Sequence, residues 1–124
     1  MTFAAEAAAT APPQGARETD RMLMARAAHE AALAEPGVVA GDDGGDGRYA
    51  TLVDSRRLAG IVVVAERGGR YSVDLYLTAA LVPLGPLAER VRKAVGRSVR
   101  SIGLQQLLGP VNVSFLGLDE RAAS

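Results

Sequence analysis

The chain has no cysteine, no tryptophan, a single histidine, a single lysine beside thirteen arginines, and only two phenylalanines. Without cysteine there is no disulfide framework, no thiolate nucleophile and no zinc site of the usual kind, which suits a reducing cytoplasm. Scarce aromatics remove the stacking platform that single-stranded nucleic acid normally uses. Charge of one sign is lacking as well: 14 basic and 14 acidic residues leave a net charge of zero. No global field therefore draws the chain onto DNA, RNA or an anionic bilayer, and any such contact must be local. No run approaches the roughly 20 apolar residues that cross a bilayer. Glu6 interrupts the alanines of the start and no basic residue precedes Arg17, which argues against a secretory signal. The arginine and alanine bias reads as the mark of a GC-rich coding genome.

What is present suffices for one small domain: 124 residues, 48% of them hydrophobic. Residues 1–16, Ala-rich with Pro12, Pro13 and Gly15, show no periodicity and read as a disordered leader. A single domain follows over 17–118, and 119–124 read as a disordered tail. The first helix is signalled from Thr19 or Asp20, with Met22, Ala25, Ala28, Ala32 and Leu33 at helical spacing and Glu35-Pro36-Gly37 as the stop. Val38 and Val39 can start a short strand, GDDGGDG over 41–47 reads as a mobile acidic loop, and Tyr49–Val53 is a candidate strand before a turn at Ser55-Arg56-Arg57.

The clearest pattern is Gly60 to Ala80. A β-branched run, Ile61 to Ala65, meets a second strand at Gly68-Gly69, a pair that can supply both positive φ angles of a type I′ turn. In the second strand Tyr71, Val73, Leu75, Leu77 and Ala79 alternate with Ser72, Asp74, Tyr76, Thr78 and Ala80. The first set belongs on a core face and the second on an exposed or interfacial one. A second helix runs from Pro86 to Gly103 with Leu87, Val91, Val95, Ser98, Val99 and Ile102 along one stripe. Val111, Val113 and Phe115 alternating with Asn112 and Ser114 close the pattern as a last strand. The fold class is α+β, a small three- to four-stranded sheet with two helices on one face, in the order α-β-β-β-α-β.

Candidate chemistry is sparse. His29 has no paired Ser or carboxylate motif and reads as a boundary histidine half covered by packing. Asp42, Asp43 and Asp46 lack the alternate ligands and closing Glu of an EF-hand, so the loop reads as solvated rather than as a cation site. Gly44 to Gly47 spell the G-x-x-G of KH RNA-binding loops, but in an acidic segment joining a helix to strands. The RGGR of residues 67–70 is explained by the hairpin turn. Arg90, Lys93, Arg97 and Arg100 fall at i, i+3, i+7 and i+10 on the face opposite the apolar stripe. That line reads first as a solvated helix face, with contact to an acidic partner, lipid headgroups or RNA phosphates as the alternative.

Taken in order, several segments resemble a family. Pro36-Gly37-Val38 after a first helix, the Gly60-led strand, Val73 to Leu77, the helix segment with Pro86, Leu87, Arg90, Val91, Ala94 and Val95, and the terminal Val111-Asn112-Val113 resemble the alkaline shock protein family of Gram-positive bacteria. The resemblance covers roughly 17–118 and marks a divergent member, since Ser114 to Leu118 make the last strand's end apolar where the family continues with polar residues. It implies a non-enzymatic, cytoplasmic scaffold or interaction protein of the envelope stress response. Such a protein self-assembles with copies or paralogues and is held at the inner face of the membrane by a small anchoring partner. It implies no cofactor and no DNA partner. The candidate interaction surfaces, read from the strand alternation and the helix spacing, are Asp74, Tyr76 and Thr78 on the second face of the long strand, and Arg90, Lys93, Arg97 and Arg100 on the second helix. An RNA- or ribosome-associated module is the alternative, because the element order partly resembles a type II KH domain.

Overall fold

In a computed structural model the described residues are 14–122, with backbone only for 14–17 and 122. Helix α1 spans Gln14–Ala34 and helix α2 Leu84–Ser101. Six strands accompany them: β1 (Val38–Gly41), β2 (Ala50–Val53), β3 (Arg56–Ala59), β4 (Ile61–Ala65), β5 (Tyr71–Ala80) and β6 (Leu108–Asp119). Short 3-10 turns at Gln105–Leu107 and Glu120–Ala122 flank β6. The order is α-β-β-β-β-β-α-β, the expected α+β plan with two further short strands, β1 and β3.

Strand β5 organises the sheet. Its first half, Tyr71 to Leu75, pairs antiparallel with β4, while Leu77 to Ala79 pair antiparallel with β1 along the same edge. The opposite edge pairs parallel with β6 over its whole length. A parallel neighbour needs a long crossover, and α2 supplies it. Strands β2 and β3 form a separate two-stranded sheet.

The alternation in β5 sets the core. Tyr71, Val73, Leu75, Leu77 and Ala79 are all buried, in one cluster with Met24, Ala25, Ala28 and Ala32 of α1 and Leu87, Val91, Val95 and Val99 of α2. Small alanines on α1 let the helices approach closely enough for the Ser98 hydroxyl to donate to the Ala27 carbonyl at 3.1 Å. Each fully buried Leu or Val on the α2 stripe contributes about 1.5 to 3 kcal/mol relative to exposure. The stripe ends earlier than its spacing predicts, because Ile102 lies past the last helical turn and is exposed.

Several boundaries differ from the sequence expectation. Helix α1 already includes Gln14, the first described residue, so Thr19 and Asp20 lie inside it rather than at its cap, and residues 14–16 belong to the helix rather than to a leader. The rest of that leader, residues 1–13, lies outside the described residues. On α1, Met24 is buried and Leu33 faces solvent. Pro86 sits in the third position of α2, not the first. Its missing N–H costs nothing there, because the first-turn N–H groups have no intrahelical acceptor. The C-terminus of α2 follows expectation: Gly103 has a φ of +79°, its N–H donates to the Arg100 carbonyl, and that of Leu104 donates to Val99, a Schellman closure.

Arg56 and Arg57 form strand β3 instead of a turn. The turn is Asp54-Ser55, with both residues at positive φ, 49° and 68°. Gly68 and Gly69 take the expected positive φ, +88° and +82°, but Glu66 pairs with Arg70, so the loop has three residues rather than the two of a type I′ turn. The end of the chain is ordered further than expected: β6 runs to Asp119 and residues 120–122 turn, so only 123–124 of the expected tail lie outside the described residues.

Candidate functional site

The second face of β5 is built around Tyr76, the residue at which two strands meet the same edge. Its backbone N–H donates to the Gly60 carbonyl, just before β4, and its carbonyl accepts from Asp42 N–H, just after β1, both at 2.8 Å. This fixes the Cα–Cβ direction of Tyr76 away from the helices. The segment leading into β2 then folds across, and the Tyr49 ring stacks on the Tyr76 ring with centroids 3.7 Å apart and planes 10° from parallel. Arg48 lies over the Tyr49 ring at 5.8 Å. Burial, with the charge of Asp74 and the neighbouring Tyr49 adding to it, raises the Tyr76 phenol above its usual value, so it stays protonated.

Asp74, two residues away on the same face, accepts a hydrogen bond from the Asn112 amide of β6 at 2.8 Å. Thr78 lies beside Gly117 in the ladder, and both Tyr76 and Thr78 are half-buried. Val64, Asn112, Ser114 and Leu116 complete the exposed part of this side. Its two ends are closed, since Ser72 and Ala80 are buried where the alternation predicts exposure. The open part of this face is therefore its middle, where Asp74, Tyr76 and Thr78 lie on the same side of β5. Tyr49 and Asn112 were not signalled. Only three tyrosines are present, but nothing local links position 49 to position 76.

The basic line lies in the helix layer, on the other side of the sheet, so the two sets of residues make two surfaces and not one site. Arg90 leaves the line: its Nε is 3.8 Å from the carboxylate of the largely covered Glu35, which ties α2 to the end of α1. Lys93, Arg97 and Arg100 are exposed, and none forms an ion pair among the described residues.

The acidic loop is internally satisfied. Asp42 accepts from Gly44 N–H and Asp43 from Gly45 N–H, which are Asx turns. The carboxylate of Asp43 also pairs with Arg57, and that of Asp46 with Arg48. The Gly45 amide and then Arg57 lower the Asp43 carboxyl below the usual range, and hydrogen bonds from Arg48 bring Asp46 down to about 2. No three His, Asp or Glu side chains gather as a metal-binding group among the described residues.

His29 faces the β2–β3 sheet, its Nε2–H donating to the Ala59 carbonyl at 3.0 Å. Burial, aided by the nearby Arg56, lowers its pKa against the opposing effects of that carbonyl and Glu30, so the ring is neutral. A cleft of about 550 Å³ opens at the hairpin end of the sheet, where Asp20, Glu66 and Arg70 surround Tyr71 and Leu107. Among the described residues its lining contains no serine or histidine, so it holds no Ser–His pair. Among the described residues no helix is long and apolar enough to cross a membrane. Comparisons with models of protein families, with curated proteins and with solved structures find no match to this chain.

Proposed function

We propose that this chain is a non-enzymatic interaction protein of the alkaline shock type that assembles with copies of itself in cell-envelope homeostasis. In this reading it is cytoplasmic and is recruited to the inner face of the membrane by a small anchoring partner. The observation that carries the reading is the one-sided cover of the sheet. Both helices bury one face, and the middle of the other presents the Tyr49–Tyr76 stack, the Asp74–Asn112 pair and exposed Val64 and Leu116. A mixed apolar and polar patch around an aromatic anchor is the composition of a subunit contact. The order of sequence motifs that resembles the family supports the same reading. Lys93, Arg97 and Arg100 offer a separate surface for an acidic partner or lipid headgroups.

The RNA-module alternative has less behind it. Its G-x-x-G segment, Gly44 to Gly47, lies in the loop whose carboxylates are already held by Arg48 and Arg57, and it presents no cationic line of its own. The test is light scattering over a wide concentration range, with Tyr76→Arg beside the parent chain. Assembly above the monomer that weakens in the variant, with circular dichroism unchanged, is the expected result. A monomer at every concentration overturns the reading.

A further inference from the structure

Strand β6 is the longest strand of the fold, and only one of its edges is used. It pairs with β5 and with no other strand among the described residues. A free edge exposes a row of backbone donors and acceptors, and proteins usually blunt such edges with charged side chains, proline or bulges. Here the blunting is confined to three places. Pro110 stands near the start, and the register with β5 shifts between Phe115 and Gly117, leaving Leu116 as a bulge. Between them Val111, Asn112, Val113, Ser114 and Phe115 carry no charge, and Arg92 reaches the edge only at the Val111 carbonyl, 3.1 Å from its Nε.

We infer that β6 pairs antiparallel with β6 of a second copy, about a twofold axis at Val113, so that two sheets join into one. The proposal rests on the self-assembly reading but uses the sheet's edge instead of its face. Three observations select a second copy as the occupant. In a twofold pairing every residue near the axis meets itself or a close neighbour, so a charge there would meet its like; Leu108 to Leu118 has none. The flank of α2 over this strand is neutral too, because Arg92 is paired with Glu89 at 3.0 Å. Finally, Val111, Val113 and Phe115 pack against the core yet are only partly buried. A second β6 would lay its own Val and Phe beside them and continue the apolar layer.

The register follows from the pleat. Helices lie on the same side of both copies only if facing residues share parity along the strand. Val113 is the midpoint between Pro110 and Leu116, and an axis there sets Val111 opposite the partner copy's Phe115, and Asn112 opposite its Ser114. Apolar then meets apolar and polar meets polar.

A chain without cysteine allows a clean test. Asn112→Cys and Ser114→Cys are made separately, both at exposed positions, then mixed and oxidised mildly, with products separated by mass. Facing residues have Cβ atoms within disulfide reach and diagonal ones do not, so the mixed disulfide should exceed either homodisulfide by about fivefold or more. Hydrogen exchange at two concentrations should protect β6 amides at the higher one, and Tyr76→Arg should leave both results standing. Ser114→Lys should weaken the pairing about tenfold or more by placing two like charges near the axis. Assembly on light scattering with a statistical disulfide mixture and unprotected β6 amides overturns the edge pairing while leaving the face reading intact. A monomer throughout overturns both.

Discussion

Gly41 and Gly60 lie against one another where β1 ends and β4 begins, and neither has room for a side chain. A Cβ on Gly41 would fall 2.0 Å from the Ala59 carbonyl oxygen; one on Gly60 would fall 2.4 Å from the Tyr76 oxygen and 2.7 Å from the Gly41 Cα. This close approach lets two strands share one edge of β5, and it positions the Tyr76 backbone between them.

Gly60→Ala is therefore expected to cost about 2 to 5 kcal/mol, the sum of overpacking against backbone and a left-handed conformation at a φ of +85°. Urea denaturation measures it. A loss below about 1 kcal/mol would show that the crossing relaxes freely.

The Tyr49–Tyr76 stack should appear as coupling rather than as two independent losses. A double-mutant cycle with Tyr49→Ala and Tyr76→Ala is expected to give about 0.5 to 1.5 kcal/mol of interaction energy. Additive effects would mean that the rings do not hold one another.

His29 makes stability depend on pH. Its folded pKa lies below the ordinary value of 6.5, so the folded state favours the neutral ring while the unfolded chain takes up a proton first. The contribution is complete above the unfolded value and is lost as pH falls through the depressed folded one. The melting temperature should therefore drop as pH falls below the ordinary histidine value of about 6.5, and His29→Gln, which keeps a donor for Ala59 but cannot titrate, should flatten that slope. An unchanged slope in the variant would assign the dependence to other groups.

At the β2–β3 turn Ser55 holds a φ of 68° that L-residues rarely adopt. Relief of about 1 to 2 kcal/mol outweighs the roughly 0.5 to 1 kcal/mol of entropy that glycine costs. Ser55→Gly should stabilise the protein by about 0.5 to 1 kcal/mol in thermal or chemical unfolding. A destabilised variant would indicate a role for the hydroxyl.

Local pattern by itself determined the α+β class, the buried face of β5 from Tyr71 to Ala79, the apolar stripe of α2 and its glycine closure, because periodicity and capping act within a few residues. Those same short-range rules placed Asp74, Tyr76 and Thr78 on one face and the basic residues on another. Only the tertiary structure decided that β1 and β4 share an edge, that Tyr49 covers Tyr76, that Glu35 removes Arg90 from the basic line, and that Arg56 and Arg57 form a strand. The first three depend on contact between segments distant in the chain; the last depends on Asp54 and Ser55 taking positive φ, which their residue types do not announce. The free edge of β6 belongs with them: a sequence can show an uncharged strand, but which of its sides lacks a neighbour follows from the order in which the sheet is assembled.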